Sequence, residues 1–594
     1  MKRSVYLLIV FLVVVFTSSC KDPLQLKPKS KLTTVSVWES ASTVKAVLNN
    51  IYRGMGHGAN QAQMGSMDDD GSSIPDLGTG VVVQSTVTPD NMGNLSSSRS
   101  DQFKWGPLYK YIRQVNVFLK KVRNAKIDPT LKKHFIGEAH FLRAYFYQNL
   151  MKAYGGVPII TKVYGINDKN MQPPRNSFKE TVNFIISEAD SAASMLPTVR
   201  TGDNIGRASA GAALALKSRV LLFAASKLYR VNPSGKAFTG YTKSQDPTTL
   251  WKKARNAAKA VMDLGVYNLY KANPAPGDSV AKNFHDLFHT QQTNESIMER
   301  DFTGSNRDQS QNYRPWQYHG PNGFHQWGGT TPTQNLVDAF KMKDGSDFSW
   351  NNPQEAAHPY KNRDPRFYAT ILYDGAPFRK RPSDDIQYDQ DGVIQTFKKL
   401  TLPDGETVPG LDTRESPIEP WNGTYSGYYN RKLISADQVP HTGFYPGLWF
   451  YFRYGEILLN YAEASIHLGD YAAARNAIDK IRHRAGMPKL KSSLTGSKLM
   501  SAYRNERRVE MAFEEHRFWD IRRWMIAPKV MNQDAEGIDI SANATNRADR
   551  STYYNYNYKV MTYQKRKWRD KMYFYPIPQS EMNKDPKLKQ NPGY

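Results

Sequence analysis

Apolar positions recur at helical spacing through several long segments. In residues 137–154, Phe141, Leu142, Tyr145, Phe146 and Leu150 share one face at three- and four-residue intervals, and Gly155, Gly156 and Pro158 then stop the pattern. Arg175–Leu196 repeats it through Val182, Ile185, Ile186, Ala189, Ala193 and Leu196. Ala208–Tyr229 reads as a long Ala- and Leu-rich helix, and Trp251–Leu264 follows, closed by Gly265. An earlier helix is expected from about Ser40 to Gly54. Helical patterning then lapses over residues 55–104, which are rich in Gly, Ser, Asp and Asn, and resumes at Trp105.

Two helix pairs have tetratricopeptide character. In Tyr454–Arg482 the small residues Ala462, Gly469, Ala474 and Ala477 alternate with Leu458, Tyr461 and Tyr471, which lets paired helices approach closely. Ala208–Tyr229 with Trp251–Leu264 is the second pair, its helices separated by a loop. Between about 270 and 450 the helical period mostly vanishes, leaving short helices such as Thr333–Phe340 among Gly, Pro, Asn and aromatic residues. Near the end, Tyr554, Tyr556 and Tyr558 alternate with polar residues, and Tyr573–Tyr575 precede Pro576; both read as short strands. The expected fold is mainly α, with tetratricopeptide-like helix pairs as a scaffold, long irregular loops and a few short strands. No strand, Gly-rich loop and helix follow one another as a nucleotide fold requires.

The N-terminus changes the picture of where the chain works. Lys2 and Arg3 precede the apolar run Val5–Phe16, which is too short to span a bilayer and suits a signal peptide. Thr17, Ser18 and Ser19 follow, then Cys20, the single cysteine of the chain. Residues 1–19 therefore read as a lipoprotein signal, with Cys20 as the acylated mature N-terminus, although Thr17 stands where a lipobox commonly has Leu. Residues 20–33 are polar and Lys/Pro-rich, a lipid-anchored tether. With one Cys, neither an intramolecular disulfide nor a Cys-rich zinc site can form.

Length and charge bound the rest. At about 150 residues per domain, 594 residues imply roughly four units, which the continuous helical pattern resolves into one scaffold carrying long loops. Mean hydropathy is −0.63, which excludes a polytopic helical membrane protein. Lys and Arg number 80 against 55 Asp and Glu, a net charge of +25 that loses two with Lys2 and Arg3. The basic residues are scattered, the densest run being Lys565–Arg569, and no nucleic-acid module accompanies them, so nucleic acid is not expected as a partner. The charge otherwise reads as a solvated surface without ligand meaning, or as a means of steering an acidic ligand such as an acidic glycan.

Several constellations resemble catalytic or metal sites and are better read as structural. Glu510 and Glu514 have helical i,i+4 spacing, but Arg507, Arg508 and Arg517 crowd them and would keep both ionised, unlike a glycosidase acid. Asp520 and Arg523 form a similar i,i+3 pair. His285 and His289 lack the intervening Glu of a zinc-protease helix. Asp68–Asp70 and Asp389–Asp391 lack the downstream Glu of a calcium loop. No catalytic residue, metal or cofactor is expected. Residues 311–329 differ: Tyr313, Trp316, Tyr318, Phe324 and Trp327 crowd a Gly/Pro-bearing stretch without helical or strand period. Aromatic faces are platforms for the CH-rich faces of sugars, and Asn312, Gln317 and Asn322 offer hydrogen bonds. These five rings are the candidate ligand-binding residues; their other reading is that they pin a long loop to the scaffold.

Segments 137–160, 332–345, 362–372, 453–470, 504–524 and 574–594, in that order, resemble the SusD/RagB family of Bacteroidetes outer-membrane nutrient-binding lipoproteins. The closing FYPIPQSEMNKDPKLKQNPGY is especially similar. The resemblance implies one SusD-like domain over 34–594, with a helical part at 34–270, a loop-rich ligand-binding part at 271–450, and helices and closing strands at 451–594. It implies a lipid-anchored, outward-facing protein of the outer membrane that captures a glycan for a SusC-like TonB-dependent transporter. A RagB-like peptide ligand, or a scaffold role without soluble ligand, are the alternatives. The resemblance also implies ligand-contacting aromatics in loops near 311–329; loop 55–104, which carries Trp in some relatives, has none here.

Overall fold

In a computed structural model, the described residues are 36–56, 93–98, 103–165, 167–168, 171–230, 240, 246–302, 315–437 and 447–594. Cys20, the tether, Asp68–Asp70 and Tyr313 lie outside them. Among the described residues no helix is long and apolar enough to cross a membrane.

The expected helices form, with ends set by capping. Asp128 caps Pro129–Tyr154 by accepting from the Leu131 N–H at 2.7 Å, with Pro129 at the first helical position. Ser177 and Glu180 close a capping box on Phe178–Met195. Ser209 and Asp246 cap Ala210–Ala225 and Pro247–Met262. The early helix is Ala41–Tyr52. The single helix expected over 208–229 is interrupted at Ser226, whose extended backbone separates Ala210–Ala225 from a short turn of helix at Lys227–Arg230.

Trp105–Val122, Pro129–Tyr154, Phe178–Met195, Ala210–Ala225 and Pro247–Met262 each pack on the next in chain order. Close approach is built in: a side chain at Gly137 would come within 2.8 Å of Met195 and Leu196. The series then continues with Tyr454–His467, which packs on Pro247–Met262, and ends with Tyr471–Arg484 and Gly496–Glu510. Residues 263–453 are therefore an excursion inserted between two adjacent helices of one scaffold. The third helix pair of that scaffold joins segments far apart in sequence.

Short sheets tie the excursion down. Ser296–Asp301 pairs antiparallel with Leu448–Arg453, so residue 450, expected as the edge of the loop-rich part, lies within a strand. Lys399–Thr401 runs parallel to Ala535–Ala544 inside a four-stranded sheet completed by Thr407–Val408 and Tyr553–Gln564. The closing tyrosine segment is thus a longer strand than its alternation suggests. Tyr573–Tyr575 is not a strand: Asp570–Tyr573 is a 3-10 turn, and the three aromatics are buried against the scaffold.

A buried ionic network holds excursion and scaffold together. Glu510 is fully buried. Its Oε1 meets Arg453 Nη1 at 2.8 Å and Arg484 Nη2, and its Oε2 meets Arg366 Nη1 at 3.1 Å. Arg453 also reaches Glu295 at 2.7 Å and Glu514 at 2.6 Å, and Lys432 reaches Glu514 at 2.6 Å. Gly455 is required beside this knot, since a Cβ there would lie 2.3 Å from Arg453 Nη1. The two glutamates are structural, as expected, but their partners come from distant elements and not from Arg507, Arg508 and Arg517 of their own segment. Arg507 instead binds Asp520 at 2.6 Å, and Asp520 pairs with Arg523 at 2.7 Å as the spacing predicts. Arg523 in turn holds Glu463 at 2.6 Å.

Burial opposes the charge on Glu510, yet Arg484, Arg453 and Arg366 outweigh it and keep this carboxyl far below the usual range. Removing one member of a buried pair strands the others. Glu510→Gln is therefore expected to lower unfolding free energy by about 3–5 kcal/mol in urea titrations, whereas Lys259→Ala, which breaks the exposed pair with Asp263, costs less than about 1 kcal/mol.

The same groups set the acid limit. Burial raises the carboxyl of Glu463 but Arg523 lowers it more, to about 2, against 4.5 for a free side chain. Its stabilisation is present above 4.5 and is lost as pH falls toward 2. Burial keeps His289 and His516 neutral well below 6.5, aided by neighbouring His285 and Arg219 respectively. The unfolded chain takes up those protons first, so stability begins to fall below pH 6.5 and falls more steeply below 4.5. Melting curves by circular dichroism between pH 3 and 8 check both breaks.

Candidate functional site

Of the five rings expected to form a platform, four lie in the described residues, and three of those are core. Phe324 is 0% exposed, edge-on to Phe378 with centroids 5.0 Å apart, and the Arg381 guanidinium lies 4.0 Å over its other surface. Trp316 is buried and donates from Nε1 to the Ser435 carbonyl at 3.3 Å. Tyr318 is buried with its ring against Gly329, where a Cβ would come within 2.4 Å. Asn322, expected to face sugar hydroxyls, is buried too: its amide donates to the carbonyls of Ile418 at 2.7 Å and Thr413 at 3.0 Å, and Tyr429 Oη donates to its Oδ1 at 2.7 Å. Burying apolar rings outweighs leaving them in water wherever a loop has partners to cover them. Trp316, Tyr318 and Phe324 are therefore buried in the core, where a pinning role accounts for them, and offer no open ring face as a platform would need. Trp327 is half-buried and reaches the surface.

The exposed aromatic surface lies where three turns meet. Pro420–Asn422 is a 3-10 turn that presents Trp421, 67% exposed, at its apex. Glu419 enters the turn with φ of +40° and accepts from Asn422 Nδ2 at 2.8 Å. Arg414 stacks 3.9 Å over Tyr425 and donates to the carbonyl of Gly423 at 3.3 Å, bracing the far side. Gly328, with φ of +52°, abuts the turn: a Cβ there would lie 2.3 Å from the Asn422 carbonyl oxygen. That approach brings Trp327 beside the Trp421 turn. The third turn, Ile386–Tyr388, exposes both of its apolar residues. Sequence reasoning misses Trp421; the signal that could find it is a Trp flanked by Pro and by Asn-Gly, a turn with an aromatic at its tip.

Polar groups knit the three turns together. His325, itself left-handed with φ of +56°, places Nδ1 2.8 Å from Glu419 Oε1. Its Nε2 lies 2.9 Å from Asp385 Oδ2 and 3.2 Å from Asp384 Oδ2. Burial disfavours a charged imidazole here, but Glu419, Asp385 and Asp384 outweigh it and raise the His325 pKa. A separate cavity of about 490 Å³ is lined by Tyr52, Arg207, Gln292, Glu299, Arg300 and Tyr451. Its tyrosine hydroxyls are committed to Glu138 Oε2 at 2.7 Å and to the Met55 carbonyl at 3.0 Å.

The other sequence candidates are accounted for. Asp389 Oδ1 accepts from the N–H groups of Asp391 and Gly392, and its Oδ2 pairs with Arg381 at 2.9 Å, so this loop is an internally closed turn. His285 and His289 lie with ring centroids 4.4 Å apart, and His285 Nε2 is 3.0 Å from the Ile434 carbonyl; they are a packed pair.

A family profile described as "SusD family" matches residues 294–594, and one described as "Starch-binding associating with outer membrane" matches residues 22–222. A solved SusD-like protein from Bacteroides fragilis is similar to the chain at 28% identity and a TM-score of 0.73, covering 95% of this chain and 99% of its own. A SusD-like carbohydrate-binding protein from the same species has 24% identity and a TM-score of 0.72, covering 93% and 100%. The SusD-like protein P38 of Formosa agariphila is 21% identical over 551 residues, 89% of this chain and 94% of that protein.

The core and surface rings separate in a stability experiment. Phe324→Ala is expected to cost about 3–5 kcal/mol, and Trp421→Ala to stay within about 0.5 kcal/mol of the parent, both read from urea unfolding monitored by circular dichroism.

Proposed function

We propose that this chain, which belongs to the SusD family, captures a glycan at the cell surface and passes it to a SusC-like TonB-dependent transporter. Recognition is non-covalent: ring faces stack on the sugar, and nearby polar groups bond its hydroxyls. The observation that carries the reading is Trp421, a large ring held out to solvent by a braced turn with Trp327 alongside. An indole left this exposed gains little for the fold and is available to an incoming apolar face. The carbohydrate-binding relative supports the choice of ligand class. The "associating with outer membrane" profile supports the location, and Cys20 would supply the lipid anchor there.

Nothing in this role calls for catalysis by the chain itself. The carboxylates at glycosidase-like spacing, Glu510 and Glu514, are locked in ion pairs and kept ionised, so neither serves as a proton donor.

Isothermal titration against a panel of neutral and acidic oligosaccharides tests the reading. Trp421→Ala is expected to weaken the bound glycan at least about tenfold, or 1.4 kcal/mol, with Trp327→Ala following in the same direction. Unchanged affinity in both variants would remove the three-turn surface from the site. Binding of oligopeptides with no glycan bound would place the chain with the peptide-binding branch instead. Co-purification with the transporter while neither class binds would leave a scaffold role.

A further inference from the structure

We propose that His325, Asp384 and Asp385 form a binding site for one divalent transition-metal ion, Zn²⁺ being the best match, beside the Trp421 turn. One ligand atom from each residue lies within 4.8 Å of the other two. The Nε2 separations from the two carboxylate oxygens, 2.9 and 3.2 Å, match two ligands of one ion. Ligands about 2.0–2.1 Å from zinc in tetrahedral array are about 3.3 Å apart.

Three features argue for a metal over a simple ion pair. First, Asp385 is buried, 8% exposed, and its Oδ2 accepts no hydrogen bond although it faces His325 Nε2 at 2.9 Å. The contact has the distance of an ion pair without the directionality of N–H···O. A central cation satisfies such converging oxygens without needing a linear hydrogen bond. Second, Glu419 can only accept, so Nδ1 is the donor in that 2.8 Å contact. This fixes the ring and aims Nε2 at the aspartates, the carboxylate–histidine–metal relay that orients metal-bound imidazoles. Third, His325 adopts a left-handed backbone that non-glycine residues seldom take, held where it delivers this ring. One nitrogen and two carboxylate oxygens suit zinc or manganese better than calcium, which takes oxygen ligands. Asp384 is two-thirds exposed, so the remaining coordination positions open toward solvent.

The full mature chain, stripped with chelator and desalted, is titrated with Zn²⁺ in the absence of any glycan, so the outcome is independent of the glycan reading. One equivalent is expected to bind and to raise the melting temperature. Asp384→Asn changes an exposed side chain and leaves the fold intact; it should weaken Zn²⁺ at least tenfold and abolish the melting shift. His325→Asn, which tolerates the left-handed backbone, should do the same. Failure to bind a stoichiometric equivalent, or unchanged Zn²⁺ affinity in both variants, overturns the proposal and leaves an imidazolium ion pair. Binding of Ca²⁺ without Zn²⁺ overturns the role given to the imidazole.

Discussion

The fold depends on a carboxylate that has no contact with water. Glu510 ends a helix of the scaffold, and the cations that surround it come from elsewhere: Arg366 and Arg453 from the excursion, Arg484 from the neighbouring helix. Lys432 adds its ammonium to the Glu510 and Ala512 carbonyls at 3.0 and 2.9 Å. An apolar contact in this position would tolerate sliding. A buried charge does not, because each partner that moves leaves another uncompensated. The network therefore fixes where the excursion leaves and re-enters the scaffold. It places Leu448–Arg453 against Ser296–Asp301 so that the next helix, Tyr454–His467, lands on Pro247–Met262.

With its two ends fixed, the excursion can afford irregular turns. The three that meet at Trp421 contain little regular structure and carry left-handed residues at His325 and Glu419. They are held from beneath by the rings that look most like ligands in the sequence. Phe324 and Trp316 fill the space under the loop, Asn322 ties it to the chain segments on either side of Glu415, and of those rings among the described residues Trp327 is the one left partly open. Binding rings on a loop are useful only if the loop is stiff, and here stiffness is supplied by the neighbouring buried rings.

The scaffold was legible because its signal is local. Helical period, glycine stops and small-residue spacing all lie within one segment, so Phe178–Met195, Tyr454–His467 and the part of Pro129–Tyr154 from Gly137 onward are readable directly, while the first two turns, from Pro129, are not. What pairs with what was not local. Nothing in Tyr454–Arg482 says that its first helix packs on Pro247–Met262, and nothing near Glu510 says that its partners are Arg366, Arg453 and Arg484. The nearby Arg507 looked like a partner and faces Asp520 instead. Rings in a Gly/Pro loop are ambiguous for the same reason: the fate of Phe324 is decided by Phe378 and Arg381, more than fifty positions on. The Trp421 turn is different, since its Pro-Trp-Asn-Gly signal is local even though Arg414 and Gly328 brace it. A single ring in a turn is a weaker signal than five in a row.

Net charge, too, acts locally. A value of +25 suggests attraction of acidic glycans, but steering acts over about a Debye length of 8 Å at physiological salt. Within that reach of His325 stand Glu419, Asp384 and Asp385, so this part of the three-turn surface is acidic. Several arginines that make the chain basic, among them Arg366, Arg453, Arg484 and Arg523, are buried in ion pairs and project little field outward. An acidic sugar approaching Trp421 would meet repulsion from these carboxylates unless a cation sits among them. A bound divalent ion would offset two of the three carboxylate charges and present open coordination positions to hydroxyl or carboxylate oxygens. The charge beside the Trp421 turn is thus set by the His325 cluster more than by the excess of lysine and arginine over the whole chain.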